Sequence, residues 1–325
     1  MLPPSIITLV YSLLWFTIIY SLPSGYNNVN ILILLYLIAN AIKAGISIWV
    51  LKGQNLLKGA RSDFLQTSKK LINEGWPYFV MILVLLPISS LSNNFLDLNS
   101  NIEEVGYFNL AQRVVAPLSL VFSIVFTAIF PNLSALWIEN QQRFYHLVCF
   151  GFKYFMLFAL TFCFLFNLFA HELITFLFPA KYYQTIAISK VQVWYLFLSL
   201  VNSLVGTILG AFNKEKLILR FAVISSLICT PVLFYVSQFG ALGLTYGYVI
   251  SFAISLVYVW HVFKKQLKLS VQHGNHIWLL AILLFLISYF LPSELPVGYK
   301  LILSVPIMAG VVLYFSKTYS SILVK

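Results

Sequence analysis

The stretch from Val105 to Trp137 reads VGYFNLAQRVVAPLSLVFSIVFTAIFPNLSALW. It is almost wholly apolar and longer than the roughly 20 residues that a bilayer requires. Lipid offers no partner to open backbone N–H and C=O groups, so such a stretch crosses as a helix. Yet it carries an arginine, Arg113, roughly two turns in from its start. A charge at the bilayer centre costs about 2.5–3.5 kcal/mol on insertion scales. A chain that accepts this cost is expected to give the charge a polar interior to face. The stretch ends in a breaker, Phe130 to Ser134, that contains Pro131.

The rest of the chain repeats the pattern. It is 61% hydrophobic and only 9% charged, which fits an all-α polytopic membrane protein and excludes a soluble enzyme domain. A β-barrel would need short alternating strands, and none is visible. The pattern predicts about ten transmembrane helices, over residues 5–22, 29–51, 75–98, 105–136, 146–170, 191–213, 216–236, 241–263, 277–291 and 299–316. The first has no basic start and no small-residue cleavage site, so it is expected to be a retained helix rather than a signal peptide. Cys149, Cys163 and Cys229 are isolated in apolar runs and read as small hydrophobes. The net charge of +11 does not indicate nucleic acid, because the basic residues lie in short loops beside apolar spans.

Those loops set the orientation. One face carries Lys52, Lys58, Arg61, Lys69, Lys70, Arg143, Lys214, Lys216, Lys264, Lys265, Lys268, Lys317 and Lys325; the other carries only Lys181, Lys190 and Lys300. The asymmetry predicts both termini in the cytoplasm. Residues 52–73 interleave Lys and Arg with Leu56, Leu57, Phe64, Leu65, Leu71 and Ile72, as in a basic amphipathic cytoplasmic linker. Residues 171–190, HELITFLFPAKYYQTIAISK, read as an interfacial hairpin on the other face. The hairpins 5–52 and 217–264 echo each other, each with a glycine near its turn (Gly25, Gly240) and a Trp and a Lys at its exit (Trp49 and Lys52; Trp260 and Lys264).

Four cations fall inside the predicted spans: Lys43, Arg113, Lys153 and Arg220. Lys153, Arg220 and Lys43 lie close enough to the cytoplasmic side to snorkel. Arg113 lies toward the other side, with Asn109 one turn before it on the same face and Gln112 flanking. The preceding span brings Asn93, Asn94 and Asp97 to a similar depth. Two readings stay open for Arg113: a buried pair with Asp97, or a hydrated cavity that attracts an anion. A guanidinium suits phosphate because its planar fork donates two hydrogen bonds at once.

Other chemistry lacks its signature. No Gly-rich phosphate loop with a Lys occurs, so no ATPase of its own is expected. His273 and His276 have no third ligand nearby, so no metal and no cofactor are expected. The loops at 23–28, 99–104, 237–240 and 292–298 are too short to hold the catalytic groups of a membrane polymerase.

Three blocks carry a resemblance. The first is Asn73-Glu74-Gly75-Trp76-Pro77. The second runs from Glu104-Val105-Gly106-Tyr107-Phe108 through Ala111-Gln112-Arg113 to Phe130-Pro131-Asn132-Leu133-Ser134. The third runs from Leu173-Ile174 through Phe178 and Lys181-Tyr182 to Asn202-Ser203-Leu204, Gly206-Thr207-Ile208-Leu209 and Asn213-Lys214. In order and spacing, over about residues 50–265, they resemble the Wzx-type polysaccharide flippases of the multidrug/oligosaccharidyl-lipid/polysaccharide exporter superfamily.

The resemblance implies a fold of two six-helix lobes followed by two extra helices. Residues 1–51 would then be the last two helices of a first lobe whose first four helices are missing. Residues 52–73 would be the linker, 74–264 a complete second lobe, and 265–325 a cytoplasmic loop with the extra pair and a tail. It implies no enzyme activity but the flipping of an undecaprenyl-diphosphate-linked oligosaccharide, such as an O-antigen, lipopolysaccharide or capsule repeat unit, across a bacterial inner membrane. Implied partners are that lipid, the bilayer and other membrane proteins of polysaccharide assembly. Arg113 and Lys43 are the candidate diphosphate ligands, and Asn40, Asn93, Asn109 and Gln112 the candidate sugar ligands. The alternatives are a cation or multidrug exporter of the same superfamily, which would be expected to carry acidic groups, and an inactive or partner-dependent fragment.

Overall fold

The computed structural model describes residues 11–13, 15–17, 20, 29–53, 64–211, 214–267, 274–291 and 295–320. Ordered elements among them are helical. They are α1 (Val29–Gly53), α2 (Phe64–Ser89), α3 (Leu91–Asn99), α4 (Ile102–Glu139), α5 (Gln141–Leu177), α6 (Gln184–Ala211), α7 (Glu215–Val236), α8 (Gly240–Leu267), α9 (Gly274–Phe290) and α10 (Val297–Ser320). Short 3-10 turns at Ala180–Tyr182 and Ser237–Phe239 precede α6 and α8. Described residues within 11–20 are helical too.

Five stretches are long and apolar enough to cross a membrane: Gly75–Asn99, Ile102–Glu139, Gln141–Leu177, Gln184–Ala211 and Glu215–Val262. The last contains both α7 and α8. Shorter apolar helical stretches lie at Ile33–Ile46, Trp278–Phe290 and Val297–Leu313. Large apolar side chains such as Leu227, Val257, Ile282 and Ile302 are exposed, which suits a lipid solvent. An all-helical membrane chain is therefore what the sequence folds into.

The chain divides into two compact units, Met1–Gly75 and Trp76–Lys325. In the second unit α6 is the central helix, packed against α4, α5, α7 and α8, while α9 and α10 pack on α5. Between apolar helices in lipid the hydrophobic effect contributes little, so packing and interhelical hydrogen bonds hold them together. The aromatic cluster of Phe122, Phe126 and Phe155 fills one layer, with rings 5.0 to 6.1 Å apart. Phe108 stacks on Tyr248 at 6.1 Å in another. On α8, a Cβ added at Gly247 would come within 2.4 Å of Val236 Cγ2. Only glycine lets α8 approach the end of α7 so closely.

Two stretches adjoin the long helices. The second half of the expected 52–73 linker is helical from Phe64 and continues into the following span, while residues 54–63 lie outside the described ones. Residues 171–190 form a hairpin between two long helices. α5 continues to Leu177, a short turn follows, and α6 begins at Gln184, so Glu172 and Lys190 belong to the long helices themselves.

The span predicted at 75–98 is interrupted. α2 stops at Ser89 and α3 restarts at Leu91, just after Pro87, which has no N–H to give to the preceding turn. Breaks in a membrane helix persist where neighbours satisfy the disturbed backbone. Here the Ser226 hydroxyl on α7 donates to the Val84 carbonyl, and the Tyr248 hydroxyl on α8 donates to the Ile88 carbonyl.

Candidate functional site

The first turn of α4 is built from its own sequence and from a distant one. Asn101 caps it, its side-chain oxygen accepting from the Glu104 N–H at 2.9 Å. Glu104 then reaches across to α8, where its Oε2 accepts from the Ala241 N–H at 2.7 Å. A carboxylate is well placed there, because the N-terminal ends of both helices carry partial positive charge. Gly240, at φ +74°, makes the turn, and a Cβ on it would press within 2.9 Å of the same carboxylate. On α3, Asn99 donates to the Phe234 carbonyl at 3.1 Å and to the Ser237 hydroxyl at 2.7 Å. The α3–α4 corner is thus pinned to the α7–α8 turn by polar contacts that the sequence reading did not identify. Glu104 belonged to a recognised block, but nothing local announces its partner.

From this fixed corner α4 runs with two faces. Phe108, Ala111, Val115, Leu118, Phe122 and Phe126 are buried. The opposite face, through Gly106, Arg113, Pro117, Leu120 and Ile124, is exposed. Asn109 and Gln112 are half-buried at its edges. Asn93 on α3 donates through Nδ2 to Asn109 Oδ1 at 3.2 Å, and its own Oδ1 is buried without a hydrogen-bond partner. Asn94 and Asp97 are exposed, and no ion pair joins Asp97 to Arg113. Of the two readings left open for Arg113, the buried pair with Asp97 does not form. The Arg113 guanidinium is left on an open, mostly apolar face of α4, with Asn109 and Gln112 at the edges of that face and Asn93 of α3 bonded to Asn109.

Lys43 and Asn40 belong to the first unit. Lys43 Nζ lies over the Tyr11 ring, 4.9 Å from its centroid, and is half-buried. Asn40 Nδ2 donates to the Tyr36 carbonyl one turn earlier, at 2.8 Å. These contacts fix both side chains within the first hairpin. Of the remaining intramembrane cations, Lys153 lies over the Tyr154 ring at 5.5 Å and Arg220 is exposed. Among the described residues no group of His, Cys, Asp and Glu is arranged to hold a metal ion.

A second polar cluster joins α5, α6 and α10. Lys300 in the first turn of α10 is wholly buried and donates to Glu172 Oε1 at 2.5 Å. Nearby, Asn167 donates to the Lys190 carbonyl at 2.7 Å. An apolar cavity of about 360 Å³ lies between α6, α8 and α9, walled by Trp194, Phe197, Trp260, Trp278 and Phe285 among others.

Comparison with known proteins adds two findings. A family model described as polysaccharide biosynthesis protein matches residues 1–137. It takes in the first two of the three sequence blocks; the third lies beyond it. Among solved structures, the chain has the fold of a lipid II flippase, MurJ, in an inward closed conformation, with a TM-score of 0.59 over 80% of this chain at 16% identity. The chain spans 56% of the length of that protein. A comparison with curated proteins gives no significant match. The fold is the one the resemblance implies, and the family model's description fits polysaccharide biosynthesis over residues 1–137.

Proposed function

We propose that this chain moves a polyprenyl-diphosphate-linked oligosaccharide across a membrane. The observation that carries the reading is the state of Arg113: an exposed guanidinium on an apolar helix, with no carboxylate paired to it among the described residues. Facing lipid, such a group would be costly; facing a hydrated path, it offers a bidentate site to a passing diphosphate. Asn109 and Gln112 flank it on α4, with Asn93 bonded to Asn109, and offer amides to sugar hydroxyls; within the first unit, Lys43 and Asn40 are the candidate cation and amide. The family match and the flippase fold support transport of a lipid-linked saccharide over any bond-making chemistry.

On this reading, residues 74–264 are one complete lobe, 1–51 the end of another, and 277–316 an added pair. The carried lipid is undecaprenyl diphosphate, the cargo an O-antigen, lipopolysaccharide or capsule repeat unit, and the membrane a bacterial inner membrane where other polysaccharide-assembly proteins act. The open face of α4 carries an arginine and no carboxylate, so an anionic cargo suits it better than a cationic drug.

The test is flipping of a fluorescent lipid-linked oligosaccharide by the full chain in proteoliposomes. Arg113→Ala is expected to lower the rate at least about tenfold, the worth of one charge-assisted hydrogen bond. Unchanged flipping by folded Arg113→Ala and Lys43→Ala proteins would overturn the site.

A further inference from the structure

Aromatic contacts join α8 to α9 at two levels. Near the start of α8 and the end of α9, the Tyr246 hydroxyl donates to the Tyr289 hydroxyl at 3.0 Å. Toward the other ends of these helices, the Trp260 and Trp278 rings meet edge to face, with centroids 5.7 Å apart. Between the two levels lies the apolar cavity of about 360 Å³, with α6 as its floor. Trp194 and Phe197 of α6 are buried there, while Ala253 and Val257 of α8 and Ile282 of α9 are exposed at its rim. The cavity therefore opens sideways, between helices that face lipid.

A buried donor in this wall has no acceptor. Trp194 is 4% exposed, and its Nε1 makes no hydrogen bond among the described residues. A buried indole N–H ordinarily finds a partner, because leaving one unmade is costly. Water does not answer the need. A buried water takes about two to four polar partners; the lining residues are all aliphatic or aromatic, and an indole donates without accepting. A phospholipid chain does not answer it either. Trp194 lies about 15 Å along α6 from Gln184, at 1.5 Å per residue, well inside a membrane-spanning helix, where such a chain presents only hydrocarbon. What fits is apolar and carries an acceptor. Its size follows from the volume: an apolar cavity of about 150 Å³ holds one benzene ring, and this one is more than twice as large. Its shape follows from the walls. Trp194, Phe197, Trp260, Trp278 and Phe285 line the space and favour flat rings, which they meet by face or edge.

We propose that this cavity binds a neutral two-ring aromatic carbonyl compound taken from the lipid phase. The carbonyl accepts from Trp194 Nε1, which fixes the orientation, and the rings lie among the aromatic walls. An alkyl substituent on the rings leaves through the gap at Ala253, Val257 and Ile282. The lining holds no ionisable side chain, so a charged ligand would lose its hydration without compensation. The inference is independent of the Arg113 site and of the cargo. It requires only that these helices lie in a bilayer.

The test is equilibrium uptake by phosphatidylcholine nanodiscs that hold the full chain, with empty nanodiscs as the reference. One probe is a dimethylnaphthoquinone with both methyls on the quinone ring, where they block addition of thiols. The other is the dimethylnaphthalene of the same skeleton, which lacks the carbonyls. One saturable site per chain is expected for the quinone, about tenfold tighter than for the hydrocarbon, the worth of one hydrogen bond made in a dry site. Trp194→Phe keeps a ring and removes the donor. It should weaken quinone binding about tenfold and leave hydrocarbon binding unchanged. Ala281→Leu narrows the cavity and should abolish uptake of both. No saturable uptake above that of empty nanodiscs would overturn the proposal and leave the cavity to lipid chains. Unchanged quinone affinity in Trp194→Phe would overturn it as well. Equal affinity of the wild type for the two probes would reduce the cavity to a slot for hydrocarbon and overturn it without recourse to any variant.

Discussion

Arg113 and Lys300 are both cations in apolar helices of the second unit, and the protein treats them in opposite ways. Lys300 has no exposed side-chain surface and is bound to Glu172. Arg113 is exposed, and the one carboxylate of the preceding helix, Asp97, does not pair with it. A buried charge must be compensated within the fold, because removing either partner leaves the other stranded in low dielectric. An exposed charge on a membrane helix is compensated by something outside the fold, either water or a ligand. The difference separates a cation that fastens α10 to α5 from one left available for a visitor. Each variant below tests that separation, and the expected losses of stability decrease from one to the next.

Glu172→Gln should have the largest effect. It removes the carboxylate bound to the buried Lys300 ammonium, and breaking a buried pair costs about 3–5 kcal/mol in comparable sites. Because Glu172 is itself 30% exposed, the lower end is expected. Unfolding can be followed with a thiol-reactive dye, since Cys163 and Cys229 are buried. The double variant Glu172→Gln, Lys300→Met should recover most of the loss. A single variant as stable as the wild type would show that Lys300 does not depend on Glu172, and the contrast with Arg113 would vanish.

Gly247→Leu tests the scaffold rather than the charges. The new side chain must enter space already held by Val236 and Leu233 of α7. Overpacking of this kind typically costs about 1–3 kcal/mol. The Tyr248–Ile88 hydrogen bond lies one residue on, so labelling of Cys229 on α7 should rise before that of Cys163 on α5. Simultaneous exposure of both thiols would mean that the α7–α8 contact has no local stability of its own.

Glu104→Ala applies the comparison within one helix. Glu104 and Arg113 share α4, but Glu104 holds the Ala241 N–H and Arg113 holds nothing across the interface. Losing a helix cap costs about 1 kcal/mol. Glu104→Gln keeps an acceptor and should lose less. If Glu104→Ala melts with the wild type, the α4–α8 joint rests on packing alone.

Much of the fold was legible because lipid enforces it: apolar runs of sufficient length become helices, and their ends follow charge and proline. The break at Ser90 follows Pro87 closely. Other features had no local sign. Glu172 pairs with a lysine 128 positions away, and Glu104 caps a helix 137 positions away. Residues 171–190 looked like a surface hairpin because Pro179 and two lysines interrupt an apolar run. One of those lysines, Lys190, lies in α6 beside a buried ion pair, an environment that no hydropathy window reveals. Among the candidate site residues, Asn109 and Arg113 were readable from helix spacing. The hydrogen bond between Asn93 and Asn109 depends on how α3 turns back onto α4, and that turn is set by Asn99, Asn101 and Glu104 acting together.

Arg113→Ala should have the smallest effect on stability and the greatest on transport. An exposed side chain with no hydrogen bond or ion pair among the described residues contributes little to the fold, so its removal should change stability by no more than about 0.5 kcal/mol. Thiol labelling of Cys163 and Cys229 should follow the wild-type curve. Flipping of a lipid-linked oligosaccharide should nevertheless fall. Arg113→Lys should recover part of the rate, because an ammonium keeps the charge but loses the two-pronged geometry that fits a diphosphate. If alanine instead destabilised the protein by as much as the Glu172 variant does, Arg113 would be a structural cation like Lys300. Its exposure would then reflect a partner surface within the fold rather than a path for cargo.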